Sequence, residues 1–477
     1  MDRSLLEETL ATHPAVGRVR ADGSATVYVV PDFEGLSAGA SESGHLSHWK
    51  SLWSGIYGES EAADPKLNLA GWISSYTGRP IREAEMKDWV EHTVRRILSL
   101  RPRRILEIGC GMGLLLLRVA PQCDEYVGVD FSAEALAFVG ARVEEEGLAA
   151  KATLRHGTAE DLGDLPGGHF DVIVINSVLQ YFPGLDYLLR VLEGALGKAA
   201  PGGRLFLGDI RSLPLLTAFH TAVQLQQVDS SLPLEDLRQR VSSLVEQERE
   251  LLLDPAFFPA LARRFPRIAG ATVQLKRGRP RNELTRFRYD AVLHLEGGPP
   301  LPPQPESWLD WGGPVATPAA LKKLLAEAEP PSLGLRRVPN ARLAAEVKAV
   351  ELLDDEALAT AGDLQEAVRR ARPGGFDPED FWSFEKDLPY RVEVVWSGLG
   401  ADGGADGFFD VILRHRDKPA AGDPAEIPAG ALSSYANSPI REQLERRLAA
   451  ELKRFLEAEL PGAPVPAHFV FVDTLPS

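Results

Sequence analysis

Apolar positions change period repeatedly along this chain, and the changes outline its elements. From Arg104 to Asp130 the run RILEIGCGMGLLLLRVAPQCDEYVGVD reads as strand, tight glycine turn, leucine-rich helix and second strand. The first strand carries Glu107 and the second stops at Asp130. A helix over Ala133–Glu146 and a strand over Ala152–His156 follow. The apolar strand Phe170–Ile175 lacks the alternation of a half-exposed strand, which predicts burial on both faces. A helix over Tyr187–Ala199, a Pro-Gly-Gly turn and a strand over Arg204–Gly208 come next. A polar helical stretch, Ser230–Phe265, precedes two late strands, Val273–Lys276 and Phe287–Leu295, expected to close the sheet as an antiparallel pair. Strand and helix in this alternation predict a doubly wound α/β sheet.

The flanks are patterned differently. Residues 1–31 read as a helix (Leu5–Thr12) and two short strands around Val16–Val19 and Ala25–Val30, too little to bury a core alone. A Gly/Ser/Glu-rich linker, Glu34–Gly44, leads to helical residues 45–100 with Trp49, Trp53, Tyr57, Trp72, Tyr76 and Trp89. Within them Asn68–Met86 has a Gly-Arg-Pro turn in its middle and reads as a lid. Beyond a proline-rich linker (Gly297–Pro305) lie helices around Ala319–Glu329 and Leu364–Ala371 and a hairpin, Tyr390–Trp396 with Phe408–Arg414. An amphipathic helix (Pro439–Glu459) and a strand (His468–Asp473) end the chain. The expected units are residues 1–40, 41–103, 104–296, 297–425 and 426–477.

Composition narrows the function classes. A chain of 477 residues exceeds one ordinary domain. The net charge of −16 argues against a nucleic-acid binder, which needs clustered Lys and Arg. No apolar run approaches the roughly 20 residues of a membrane span. The start MDRSLLEETL lacks the basic-then-apolar pattern of a signal peptide, and two cysteines make no scaffold, so a cytoplasmic protein is expected. The ten histidines and two cysteines show no metal-ligand spacing, and no metal is expected.

Chemistry gathers where parallel strands end. The glycine turn is Gly109-x-Gly111-x-Gly113, with Leu114 where a dinucleotide fold needs its third glycine. Glu107 beside a pyrophosphate would set anion against anion; it suits a cationic ligand such as S-adenosylmethionine. The E-x-G-x-G-x-G pattern resembles the first motif of Rossmann-like methyltransferases, against the alternative of a nicotinamide or flavin site. On that reading Glu107, Gly109, Gly111, Gly113, Asp130, Phe131, Asn176 and Tyr76 meet the cofactor, Asp130 through the ribose hydroxyls. One of Glu160 and Asp161 accepts from the adenine amino group. Asn176, Gln180, Tyr181 and Tyr76 are candidates to orient the nucleophile, and His220 or Glu283 to accept its proton. Arg211, Arg286 and Tyr289 are the substrate-binding candidates; the run ELTRFRY (Glu283–Tyr289) is readable as an edge strand whose arginines suit a phosphate or carboxylate.

The motifs LEIGCGMGLLL, VLQYFP, PGGRLFLGDIRSLPLLTAFH and NELTRFRYD resemble N-methyltransferase domains embedded in adenylation domains of nonribosomal peptide synthetases. SYTGRPI, EMKDWV, VPNARL and DLPYRVEV extend that resemblance over roughly 45–415, with Ile73 where the family has Asn. LLEETLATHPAVGRV and PVPAHFVFVDTLP are similar to the two halves of the small C-terminal adenylation subdomain. The resemblance implies a Rossmann-like sheet with a helical N-terminal lid, an appended smaller α/β domain and a split small α+β subdomain. It implies N-methylation of the α-amine of an aminoacyl thioester on the phosphopantetheine arm of a peptidyl carrier protein, with the remainder of an adenylation domain or synthetase as further partner. No adenylation activity is expected, since the phosphate loop and catalytic lysine of that family are absent from the sequence. Methylation of oxygen, sulfur or carbon, or an inactive docking module, are the alternatives.

Overall fold

The computed structural model describes residues 3–22, 26–32, 39–58, 64, 66–397, 407–419, 422, 427–463, 465–466, 468–472 and 475. They fall into two compact units, Lys50–Tyr181 with Leu185–Asn437, and Met1–Trp49 with Phe182–Gly184 and Ser438–Ser477. Residues 34–38 of the expected linker Glu34–Gly44, the hairpin's acidic loop and the strand ends at Ala25 and Asp473 lie outside the described residues, while residues 39–44 are not linker but the start of helix Gly39–Gly58.

The larger unit holds a seven-stranded sheet. Its strands are β1 (Arg104–Ile108), β2 (Glu125–Asp130), β3 (Ala152–His156), β4 (Phe170–Asn176), β5 (Ala199–Arg211), β6 (Ile268–Leu275) and β7 (Arg288–Leu295). They lie in the order β3-β2-β1-β4-β5-β7-β6, with β7 antiparallel to both its neighbours and the other pairs parallel. This is the Rossmann-like α/β fold, and its strand order reverses between β1 and β4, where such sheets open their ligand crevice. The position of β4 between β1 and β5 accounts for its two-sided apolar sequence. The expectation of a closing antiparallel pair holds, with β7 the inner strand rather than an edge. The run ELTRFRY is not one strand: Glu283–Phe287 is a short helix capped by Asn282, and only Arg288 and Tyr289 enter β7.

Two further features of this unit position the cleft. Glu83–Ser99 forms the lid helix, with Met86, Trp89 and Val90 packed against Leu67, Ile81 and Leu284. A four-stranded sheet contains the expected hairpin, Tyr390–Trp396 and Phe408–His415, together with Ser332–Pro339 and Trp308–Asp310. Arg342, 1% exposed, joins its domain to the β6 end by donating to the carbonyls of Lys276 (2.7 Å) and Gly278 (2.6 Å) and to Asp377 (2.9 Å).

In the smaller unit, strand Val16–Asp22 pairs antiparallel with Thr26–Pro31, which pairs in parallel with His468–Phe471. Helix Arg3–Ala11 supplies Leu6 and Leu10, and helix Arg441–Glu459 supplies Leu444, Leu448, Leu452 and Leu456, to one core with Val27 and Val29. Sequence ends more than 400 residues apart thus share one core. The chain rejoins this unit at Ser438, and Asn437 just before it accepts from the Leu252 amide (2.7 Å) within the larger unit. Among the described residues no helix is long and apolar enough to cross a membrane.

Candidate functional site

The glycine loop leaves β1 at the strand-order reversal. Gly109 (φ 80°), Gly111 (φ 47°) and Gly113 (φ 76°) all take left-handed backbone, which side chains disfavour. The amides of Gly109 and Cys110 donate to the Val129 carbonyl at 2.7 and 3.1 Å. Asp130 completes the loop: one carboxylate oxygen accepts from the Gly111 amide (2.8 Å), the other from the Ser132 amide (2.9 Å). Burial raises the Asp130 pKa above its ordinary value, against the pull of the Ser132, Gly111 and Phe131 amides. Glu107 is 3% exposed and its Oε2 accepts from the Tyr126 hydroxyl at 2.8 Å. Burial, with the Asp130 charge adding to it against the Tyr126 hydrogen bond, pushes Glu107 up to about 8. A carboxyl buried without a cation is the complement of a positively charged ligand.

An aromatic wall faces this loop. A β-carbon on Gly111 would stand 3.2 Å from the Tyr57 hydroxyl. Tyr57 packs on Trp53 (ring centroids 5.3 Å), and Trp53 on Tyr181 (5.4 Å). The sequence flags Tyr57 and Trp53 only as aromatic residues; nothing local ties a helix some 50 residues upstream to the glycine loop.

At the far end of the wall lies a buried charge network. Strand β5 bulges between Leu207 and Ile210, and there Asp209 takes a positive φ of 61°. Asp209 is fully buried; it accepts from Trp89 Nε1 (3.0 Å), Ser177 Oγ (2.8 Å) and the Arg288 guanidinium, with Lys276 Nζ at 3.5 Å. Burial opposes its charge, but Arg288 and Lys276 outweigh that and hold it at about 2. Lys276 and Arg96 also meet Asp290, which accepts from the Asp209 amide (2.9 Å). The sequence gives no hint of this interlocking, since its members come from the lid helix and four different strand ends.

The candidate residues divide accordingly. Asn176 and Gln180, 8% and 2% exposed, stand at the end of β4 and just beyond it, and Asn176 Oδ1 and Gln180 Oε1 have no hydrogen-bond partner among the described residues. Glu160 pairs with Arg190 (2.7 Å), and Asp161 turns back to the Thr158 amide (2.8 Å) and hydroxyl (2.7 Å); both are thereby drawn toward their own loop and surface. Arg211 is consumed by Glu248 (3.0 Å) and Glu250 (2.8 Å). His220 gives Nε2 to Glu248 at 3.2 Å, which leaves Nδ1. Three further candidates have partners of their own. Tyr289 is fully buried on the opposite face of β7 from Arg288, its hydroxyl donating to the Leu253 carbonyl (2.9 Å). Arg286 is held by Glu346 (2.9 Å) and the Tyr76 hydroxyl (3.4 Å). Glu283, 4% exposed, anchors the lid: Oε1 accepts from the Ser75 amide (2.7 Å) and Oε2 from the Ser74 hydroxyl (3.4 Å). Tyr76, beside it, is pushed up to about 12 by burial. No cluster of metal-ligating side chains occurs among the described residues.

Residues 106–205, from β1 into β5, match the family described as a methyltransferase domain. The sheet is that of a methyltransferase. The whole chain is similar to segments of nonribosomal peptide synthetases. It is 40% identical over 495 residues to chondramide synthase of Chondromyces crocatus, covering 99% of this chain and 12% of that protein. It is 36% identical over 479 residues to a probable non-canonical nonribosomal peptide synthetase of Salinispora arenicola, covering 99% and 6%. The chain thus spans a small part of the curated relatives it matches. Among solved structures, magnesium protoporphyrin IX methyltransferase of Synechocystis PCC 6803 with bound SAH aligns at TM-score 0.33 and 15% identity, over 54% of this chain and 98% of that one. The methyltransferase domain takes S-adenosylmethionine, and its residues fit that group: left-handed glycines for close approach, Asp130 lone pairs for ribose hydroxyls, and a buried Glu107 awaiting a cation.

Proposed function

We propose that this chain methylates the α-nitrogen of an aminoacyl thioester carried on the phosphopantetheine arm of a peptidyl carrier protein. The observation that carries the choice of nitrogen is the pair of unpartnered buried acceptors at and just beyond the end of β4, Asn176 Oδ1 and Gln180 Oε1: two acceptors match the two N–H donors of a primary amine, whereas an alcohol or thiol offers one donor. The engagement of Glu283 and of His220 Nε2 agrees with it. An α-amine ionises near pH 8, lower beside a thioester, and so needs no strong base, whereas an alcohol does. The synthetase relatives support a carrier-borne substrate.

When bound, S-adenosylmethionine supplies an electrophilic methyl on its sulfonium. Asp130 and Glu107 hold the cofactor end of the cleft. Phe131 follows Asp130, and the Trp53–Tyr57–Tyr181 wall excludes water between the two ends. A neutral amine held in line would take that methyl, and its nitrogen would then have one proton to shed. His220 Nδ1 is the side-chain acceptor assigned to that proton.

The test is intact mass of an aminoacyl-loaded carrier protein after incubation with the chain and S-adenosylmethionine, with a free amino acid alongside. Fragmentation showing the added methyl on the α-nitrogen of the loaded carrier alone is the expected result. A methyl on oxygen, sulfur or carbon, or on the free acid only, refutes the proposal.

A further inference from the structure

Resting on the reading above, we propose that Arg288 binds the substrate: its guanidinium takes the acyl oxygen of the α-aminoacyl group and thereby aims the adjacent amine at the cofactor. Three observations carry this. Of the cations at this end of the sheet, Arg211 is bound by two carboxylates and Arg286 by Glu346 and Tyr76. Lys276 is divided between Asp209 and Asp290. Arg288 has one described partner, Asp209, on one terminal nitrogen, and its side chain is 19% exposed. A guanidinium carries five N–H donors in a rigid fork, so donors remain for a second acceptor.

Second, the anchor is rigid. Asp209 has no exposure and is itself fixed by Trp89 and Ser177, and Ser177 directly follows Asn176 at the end of β4. Arg288 is therefore tied to the strand end that carries the two orphan acceptors. Third, the cation is secure: burial works against its charge, but Asp209 and Glu250 outweigh that and keep its pKa above the ordinary arginine value. Tyr181, the last member of the aromatic wall, lies close enough to feel the same charge. A substrate whose amine and acyl oxygen sit on adjacent carbons offers both groups within one short reach, an N–H for Asn176 or Gln180 and an oxygen for Arg288. That places the α-aminoacyl unit, rather than a simple amine, as the recognised class.

The acyl oxygen has two sources, a thioester carbonyl or the carboxylate of a free amino acid, and the experiment separates them. Methyl transfer by the full chain is followed on aminoacyl-pantetheine thioesters, on the same compounds with the acyl C=O replaced by CH2, and on free amino acids, each at the pH where its amine is half neutral. The natural chain should lose about 10- to 100-fold in kcat/KM on the CH2 compounds. Arg288→Lys keeps a charge for Asp209 but loses the fork. It should lose a similar factor on the thioesters, add little further loss on the CH2 compounds, and bind S-adenosylmethionine unchanged by calorimetry. Equal losses on both compounds, or none on the thioesters, would overturn the assignment. Should the variant fail to fold, the natural chain decides alone: indifference to the C=O overturns it. Preference for the free acid, abolished by Arg288→Lys, keeps Arg288 and refutes the carrier-borne substrate. Methylation of no nitrogen by the natural chain overturns both.

Discussion

Single residues set the chemistry of the cofactor end. Glu107 ionises near its ordinary 4.5 in an unfolded chain but is raised to about 8 when buried. Between those values the folded chain holds a proton the unfolded chain lacks, so this group's contribution to stability falls as pH rises through that window. Glu107→Gln, unable to ionise, should therefore raise the melting temperature more at pH 8 than at pH 5 in the absence of cofactor. Equal shifts at both pH values would mean that Glu107 titrates normally. A bound cation favours the carboxylate, so affinity for S-adenosylmethionine should climb up to about tenfold per unit from pH 6 to 8 and then level. Asp130→Ala removes both the ribose acceptors and the brace on the Gly111 amide. Calorimetry should show its affinity for the cofactor falling by at least about tenfold. Undiminished affinity would remove Asp130 from the site.

Elements meet the site through a few anchors. The lid turn is held by Glu283 through Ser74 and Ser75 and by Gln227, whose amide donates to the Ser75 carbonyl at 2.8 Å. Glu283→Gln keeps an acceptor for the Ser75 amide, whereas Glu283→Ala keeps none. The expected outcome is near-natural kcat and an unaltered pH–rate profile for Gln, with a KM raised about tenfold for Ala. Loss of the acidic limb of the profile in the Gln variant would return Glu283 to the role of proton acceptor. The helix Glu283–Phe287 shows why ELTRFRY is misread as strand. Its aromatic and β-branched content favours strand, but Asn282 accepts from the Leu284 (3.0 Å) and Thr285 (3.3 Å) amides and so starts a helical turn. Tyr289 follows from the same shift, because alternation along β7 puts Arg288 and Tyr289 on opposite faces.

At the scale of the molecule, the smaller unit depends on helix Arg441–Glu459. Leu448 is fully buried among residues from both ends of the chain. Leu448→Ala should destabilise that unit by about 2–5 kcal/mol. Hydrogen exchange should then quicken in Val16–Asp22 and Thr26–Pro31 while the seven-stranded sheet keeps its protection. Quickening in both units alike would show that they unfold together.

By itself the sequence determined the strand–helix alternation, the glycine turn, the carboxylates at Glu107 and Asp130, and the inner place of β4. Each is written locally: apolar period, left-handed glycine positions and strand ends lie within a few residues of one another. The motifs also carried the methyltransferase and synthetase kinship. What only the tertiary structure decided is which polar side chains remain available. Arg211, Arg286, Arg288, His220 and Glu283 are equally plausible ligand groups as letters. Their partners, Glu250, Glu346, Asp209, Glu248 and Ser75, come from other elements, Ser75 from 208 residues away. A buried charge is tolerated only beside its counter-charge, so pairing rather than residue type separates the groups that hold the fold from those left to meet a substrate.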